Sequence, residues 1–473
     1  MGSNMGFPWK SFLKSVAVIA IPVALQNLLT TTGSMVDTMM LAPLGELTVG
    51  AVGLCAQFSS LMFSGYWGFV GGGMLFFAQY YGAKDDDGID RSYGLMLSCM
   101  MIVAALFTSL ALLAPNMVMS IYTDKASIQE IGVKYLRVVG FAYPLQILSM
   151  AMSALLRSTE RVRIPFYAAI ASVATNIALN WVFIYGKLGL PAMGVQGAAL
   201  ATACAAFVNA AVILVLAGVQ KFPYLFHFSR HFRWKKEDVK IYFVKCFPII
   251  CNEVMMGVGN VGINIVLGRQ PEEAIAAVAV FRTLEGLIIG FFMGFSNAAS
   301  VLVGAKVGAG ELDTAYERAK RMVLLCGSVI ALTCLAVLAM HKPILTAMSL
   351  SGQSFTYGFG MLCIYCVVAV IRMCNWVQND TYRSAGDATT GTVLEISFMF
   401  LLVLPVLYLM AFVVKVPFLA VFACCYIDEP IRFCIMQRHM YSGRWVRPVT
   451  EQGKAALPAF REKHSKKKKT HCA

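Results

Sequence analysis

Three stretches of this chain, Met96–Ala114, Ala198–Ala217 and Ile396–Val414, run without a charged residue. Each is close to the ~20 residues that carry an α-helix across the hydrocarbon core of a bilayer. A soluble domain would have to hide several such runs in one core. It would also need a polar surface that this chain lacks: 58% of its residues are hydrophobic and 14% charged, against about 25% charged in ordinary soluble domains. Membrane-spanning strands would alternate polar and apolar residues over segments of about ten, and these runs do not alternate. The chain is therefore read as an all-α integral membrane protein.

Hydropathy predicts twelve transmembrane helices, near 16–36, 49–73, 95–114, 133–156, 166–185, 197–217, 243–267, 274–300, 322–340, 357–380, 392–413 and 417–436. The basic residues sort by side. With a cytoplasmic N-terminus, that side collects Lys10, Lys14, Lys84, Arg91, Arg157, Arg161, Arg163, the stretch Lys221–Lys240, Lys306, Arg318, Lys320, Arg321 and Arg383. The opposite loops hold only Lys125, Lys187, Arg269, Lys342 and Lys415. This is the positive-inside asymmetry that fixes topology, and it puts both termini in the cytoplasm of a multi-pass protein of the cell membrane. The net charge of +14 then needs no nucleic acid, because the tail with Lys466–Lys469 lies beside anionic lipid headgroups. Within Lys221–Lys240, basic residues mix with Phe222, Tyr224, Phe226, Phe228, Phe232 and Trp234, as in a segment lying in the membrane interface.

Other features are read as scaffold. The fourteen cysteines are scattered and lack the clustered partners of a metal or redox site, so no metal or cofactor is expected. The first apolar run, Val16–Val36, is followed by Asp37 and lacks a small-residue cleavage site, and Met1-Gly2-Ser3-Asn4 carries no fold information. Gly71-Gly72-Gly73 lacks the lysine and strand-turn-helix setting of a phosphate loop. In a span it suits close helix contact. Asp85-Asp86-Asp87 is read as a solvated turn. No feature points to an enzyme.

Three features recur at one offset of 226 residues: Pro22 with Pro248, Gly82-Ala83 with Gly308-Ala309, and Leu156-Arg157-Ser158 with Tyr382-Arg383-Ser384. Each pair sits at the equivalent point relative to predicted spans, which argues for two six-helix halves. An even number of spans per half makes the repeats parallel, related by an axis along the membrane normal. The expected organisation is an N-lobe at 11–218, a cytoplasmic linker at 219–240, a C-lobe at 241–437 and a basic cytoplasmic tail at 438–473, with a central cavity between the lobes. Pro22 and Pro248 are hinge candidates, since a proline inside a helix removes a backbone hydrogen bond.

With these motifs in view, the chain resembles the multidrug and toxic compound extrusion (MATE) transporters. The resemblance runs from Pro22 and Asp37 through Gln79-Tyr80-Tyr81-Gly82-Ala83 and Leu156-Arg157-Ser158 to the segment Asn176–Gly186. It continues through Gly194–Thr202 and Arg383-Ser384-Ala385-Gly386-Asp387 towards Trp445. It implies two facing lobes, antiport of cationic or amphipathic organic compounds against H⁺ or Na⁺, and a coupling role for Asp37. Where a branch of that family carries a second acid in an Asn-x-x-x-Asp pattern on the fifth helix, this chain has Asn180. Asp37 is thereby left with Asn176, Asn180 and Thr202 as neutral partners.

An ionised side chain at bilayer depth costs about 2.5–3.5 kcal/mol on the insertion scale, so such residues mark function by default. Besides Asp37, the candidates for ion coupling or substrate contact are Glu253, Arg282, Glu285 and Arg372, with Glu395 opening the eleventh span. Glu253 follows Pro248 by the same interval that separates Asn27 from Pro22, so the halves differ where charge matters. Arg282 and Glu285 are spaced to share a helix face. These groups form either a self-neutralising structural network or a proton-responsive cluster with Glu253, and in both cases they are expected close together.

The resulting expectation is a secondary active exporter using alternating access, with a small organic substrate, a bilayer and no obligatory protein partner, working as a monomer. A lipid-linked precursor flippase of the same two-lobe architecture is the alternative, and a channel or receptor has no need of two rocking halves.

Overall fold

The structure is a computed structural model describing residues 7–348, 350 and 352–470. Met1-Gly2-Ser3-Asn4 and the side chains of Lys466–Lys469 lie outside the described residues. The described residues are helical throughout their ordered elements, with no strand. In chain order the helices are α1 (Trp9–Leu41), α2 (Glu46–Ala83), α3 (Asp86–Leu113), α4 (Pro115–Tyr122), α5 (Ala126–Val139), α6 (Ala142–Ser158), α7 (Arg163–Tyr185), α8 (Val195–Val219) and α9 (Phe228–His231). There follow α10 (Lys236–Leu267), α11 (Glu272–Gly308), α12 (Leu312–Ala339), α13 (His341–Ala347), α14 (Gly352–Ser384), α15 (Ala388–Phe398), α16 (Leu404–Tyr408), α17 (Phe418–Cys424), α18 (Asp428–Ser442) and α19 (Glu451–Thr470).

Among the described residues ten helices are long and apolar enough to cross a membrane, and the pair α5 and α6, bent by 52°, makes an eleventh. The remaining expected span, 417–436, is built from the short helices α17 and α18. With 7 and 15 residues, each is too short to cross a bilayer alone. The first span is longer than hydropathy suggests: α1 continues to Leu41, so Asp37 lies inside a helix rather than beyond its end.

The chain divides into two compact units. One comprises Ile21–Phe77 and Asp85–Val244, and the other comprises the segment up to Ala20, Ala78–Lys84 and the chain from Lys245 onward. The boundaries at 20/21 and 244/245 fall just before Pro22 and Pro248.

In the first unit, Asp85 caps α3 by accepting a hydrogen bond from the Gly88 N–H at 2.9 Å, and Asp86 and Asp87 occupy the first helical turn, where acidic groups complement the helix dipole. The acidic triplet is thus a helix start. The aromatic-basic segment after α8 is pinned to that start: the Tyr224 hydroxyl donates to Asp86 at 2.6 Å, and His227 Nδ1 lies 2.8 Å from Asp90. His231 Nε2 donates to the Tyr224 carbonyl at 2.7 Å, since a carbonyl can only accept. Burial holds the His231 imidazole below its ordinary pKa despite that bond and the nearby Asp90 carboxylate.

In the second unit, the repeated Gly-Ala pairs mark a backbone crossing. A Cβ added at Gly82 would lie 1.8 Å from the Ala305 carbonyl oxygen, and one at Gly308 would lie 1.9 Å from that of Gln79. Only glycine lets the two helix ends approach so closely. The C-terminal segment ties this crossing down. The Val449 N–H donates to Gln79 Oε1 at 2.8 Å, Gln79 Nε2 donates to the Ser384 carbonyl at 2.8 Å, and the Thr450 hydroxyl donates to the Gly308 carbonyl at 2.7 Å.

Candidate functional site

Each unit carries its own intramembrane polar site. In the first, Asp37 on α1 accepts a hydrogen bond from Asn180 Nδ2 on α7 at 2.5 Å. The same amide reaches Asn176 Oδ1, one turn earlier, at 3.3 Å. Asn180 is 1% exposed and its Oδ1 has no hydrogen-bond partner. Thr202 turns back to the Ala198 carbonyl at 3.0 Å. The hydroxyl of Tyr135, on α5, lies against Thr202 and within electrostatic reach of Asp37. Among the described residues no salt bridge reaches Asp37, and its carboxyl is held by the neutral amide of Asn180. Asp37, Asn176 and Asn180 therefore form one cluster, while the hydroxyl of Thr202 bonds its own helix at Ala198; Tyr135, beside Thr202, is a residue the sequence reading did not single out.

The second unit is more heavily charged. Arg282 and Glu285, three apart on α11, pair at 2.8 Å, and Arg372 on α14 pairs closely with the other oxygen of Glu285. Arg282 also donates to Asn264 on α10 at 3.3 Å. The Arg372 guanidinium lies 6.0 Å from the Tyr365 ring, 5.7 Å from Trp376 and 5.3 Å from Tyr426, distances at which cations are attracted to aromatic faces. These three sequence candidates meet as expected. Glu253 does not join them.

Glu253 is served by Arg383 instead, at 3.6 Å. Arg383 also lies 3.7 Å from Asp380 on its own helix and 3.9 Å from Glu395 on α15. Asp380 accepts a short hydrogen bond from Ser296 on α11, and Glu395 accepts one from Asn252 at 2.8 Å. From Glu395 the network runs to Arg432 on α18 at 3.9 Å, which pairs with Asp428 at 3.4 Å and Glu429 at 2.7 Å. Glu429 closes the path, 3.7 Å from Arg372. Carboxylates and guanidiniums thus alternate from Glu253 to Arg282. Since fourteen residues of α11 separate Arg282 from Ser296, the network extends about 20 Å along the helix.

Five links of this network, Arg383, Asp380, Asp428, Glu429 and Arg432, escaped the sequence reading as candidates, although Arg383 was noted as a repeated motif. The signal was present: acid and base three or four apart inside an apolar segment can pair on one helix face, and both Asp380/Arg383 and Asp428/Arg432 have that spacing.

The repeat explains part of the geometry. Arg157, the counterpart of Arg383 at the 226-residue offset, is buried and donates to Gln26 at 3.0 Å. Gln26 and Asn27 correspond to Asn252 and Glu253. The same arginine position therefore faces neutral amides in one half and carboxylates in the other.

A bundle of apolar helices holding buried acid clusters defines a polytopic membrane protein. The MatE family profile matches residues 22–182 and again residues 248–409, and the chain belongs to that family of transporters. The two matches begin at the repeated prolines, so the duplication covers each half. The probable multidrug resistance protein YoeA of Bacillus subtilis is 22% identical over 90% of this chain and 92% of its own length. The probable multidrug resistance protein NorM of Neisseria meningitidis is 22% identical over 72% and 75%. Among solved structures, a MATE protein in complex with MaL6 shares the fold with a TM-score of 0.82, at 18% identity over 91% of this chain and 97% of that one.

Proposed function

We propose that this protein expels small cationic or amphipathic organic compounds from the cell, driven by the inward flow of H⁺ or Na⁺ through alternating access of its two halves. The observation that carries this reading is the pair of acid sites, Asp37 on Asn180 at 2.5 Å and Glu253 beside Arg383 at 3.6 Å, each inside a long membrane helix. A carboxylate there is costly and marks function by default, and both are only partly buried, so a cation can reach them. Binding a cation removes the charge, which lowers the cost of moving that part of the helix to a less polar setting. Release on the other side restores it. The Arg282–Glu285–Arg372 group is read as structural, because its charges are already paired at close range.

The hinge reading of Pro22 and Pro248 is supported by the unit boundaries just before each proline. The export of drug-like compounds is supported by the names of the relatives. The positive-inside charge pattern supports both termini in the cytoplasm and residence in the plasma membrane. A membrane potential contributes about 2.3 kcal/mol per charge per 100 mV, enough to concentrate substrate substantially. The test is purified protein in proteoliposomes with an imposed pH or sodium gradient: either gradient should drive movement of a cationic dye such as ethidium, and indifference to both would refute ion-coupled export.

A further inference from the structure

Beyond the last span, the end of α18 and the helix α19 enclose a cleft of about 440 Å³, within the ~300–1,000 Å³ of small-molecule sites. It belongs wholly to the second unit. Its lining includes Arg444, Arg447 and Arg461, and no lining residue is acidic. Arg447 is compensated by Asp387 at 3.1 Å, an acid that also serves His439 at 2.9 Å. The acid beside His464, Asp313, is taken up by Lys463 at 2.9 Å. Among the described residues no salt bridge reaches Arg444 or Arg461. Arginine stays protonated in proteins, so the cleft keeps two positive charges that no carboxylate of the described chain balances.

The backbone beneath these arginines is fixed by packing. Arg444 lies between Gly443, whose φ of +66° ends α18 in the left-handed region, and Trp445, which is fully buried. The Met440 carbonyl accepts from the Gly443 N–H at 3.2 Å and from Trp445 Nε1 at 2.9 Å, and the Tyr441 carbonyl accepts from the Tyr316 hydroxyl at 3.2 Å. The end of α18 therefore presents few free carbonyls that would oppose an anion. The Arg447 N–H donates to the Ala385 carbonyl at 2.9 Å. Arg461 follows Phe460, which is 4% exposed and whose ring centroid lies 6.1 Å from Tyr316 and 4.3 Å from His464. Exposed guanidiniums on an anchored backbone, with no carboxylate between them, suit a phosphate, because the fork of N–H donors matches two phosphate oxygens.

We propose that this cleft binds a ligand bearing a terminal phosphate or diphosphate, held by Arg444 and Arg461 with Arg447 as a third donor. The space is larger than a phosphate group needs, and Phe460 and His464 wall the part that would take the organic portion. The phosphate arrives on a soluble molecule or on a lipid headgroup, since the cleft adjoins the end of the last span. The proposal goes beyond the ion-coupled reading and does not depend on it.

The experiment is direct binding to the full-length purified protein at about 0.15 M salt, where the screening length is about 8 Å and diffuse attraction is weak. One arm titrates inorganic pyrophosphate into protein held in phosphatidylcholine nanodiscs, and the other titrates fluorescent phosphatidic acid into protein in detergent. Wild type is expected to bind in at least one arm. Arg444→Gln/Arg461→Gln should weaken that binding by about tenfold or more, as expected for the loss of charge-assisted hydrogen bonds. Both side chains are exposed, and should the double variant not fold, each single variant is expected to weaken binding about threefold. Lys306→Gln/Lys454→Gln, which removes the same charge from outside the cleft, should leave the Kd unchanged. Arginine-dependent binding of pyrophosphate identifies a soluble ligand, and arginine-dependent binding of phosphatidic acid alone identifies a headgroup. No binding by wild type in either arm, an unchanged Kd in the arginine variants, or an equal loss in the lysine variant overturns the proposal.

Discussion

Arg383 lies 3.6 Å from Glu253, in the position where its counterpart Arg157 donates to Gln26 at 3.0 Å. Duplication has conserved the arginine and changed what it faces. Breaking a buried ion pair by removing one partner costs about 3–5 kcal/mol, whereas losing one hydrogen bond to a neutral group costs about 1–3 kcal/mol. Arg383→Met is therefore expected to lower the melting temperature of the detergent-solubilised protein more than Arg157→Met. Equal shifts would mean that the two arginines play the same part.

The crossing of α2 and α11 gives a steric prediction. Gly82→Ala and Gly308→Ala would each drive a methyl into a backbone carbonyl, at 1.8 Å and 1.9 Å. Backbone at a helix crossing cannot swing aside as a side chain can. Both variants should lose several degrees of melting temperature and yield less folded protein. Gly50→Ala on the same α2, with nothing within 4 Å of the added Cβ, should be neutral or stabilising by up to ~1 kcal/mol through helix propensity.

Asp387, between α14 and α15, provides a pH signature outside the spans. Burial alone would raise its pKa, but hydrogen bonds from His439 and Thr390 and the charge of Arg447 hold its carboxyl below the usual carboxylate range. A carboxyl depressed on folding contributes stability that is present above its unfolded pKa, near ~3.9, and is lost as pH falls through the folded value. Asp387→Asn should therefore melt earlier than wild type at neutral pH. The gap should start to close only once pH drops below about 4. A gap that closes between pH 6 and 8 would assign the stabilisation to another group.

The sequence made the scaffold legible because membrane physics writes it in long, readable signals. Apolar runs marked the helices, and one offset linking Pro22 to Pro248 and Gly82 to Gly308 marked the duplication. The last span, read as one helix at 417–436, is two short helices, α17 and α18, with Asp428, Glu429 and Arg432 buried in the second. For the sites, pairs on one helix such as Arg282 and Glu285 could be read from spacing. The partnership of Asp37 with Asn180 came from family resemblance, because they are 143 positions apart. Glu253 was assigned towards Arg282, when Arg383 from a different helix is its neighbour. Which helix faces meet is decided by packing across the bundle, and spacing along one helix carries no record of it.

The central claim is that inward cation flow, acting at Asp37 and Glu253, drives export. The most direct measurement is gradient-driven ethidium movement in proteoliposomes containing wild type, Asp37→Asn or Glu253→Gln, with the folded fraction of each checked by size-exclusion chromatography. The account predicts that wild type responds to a pH or sodium gradient and that each variant, still folded, loses about tenfold or more of that response, the scale of one coupled charge. Full gradient-driven transport in both variants would contradict it.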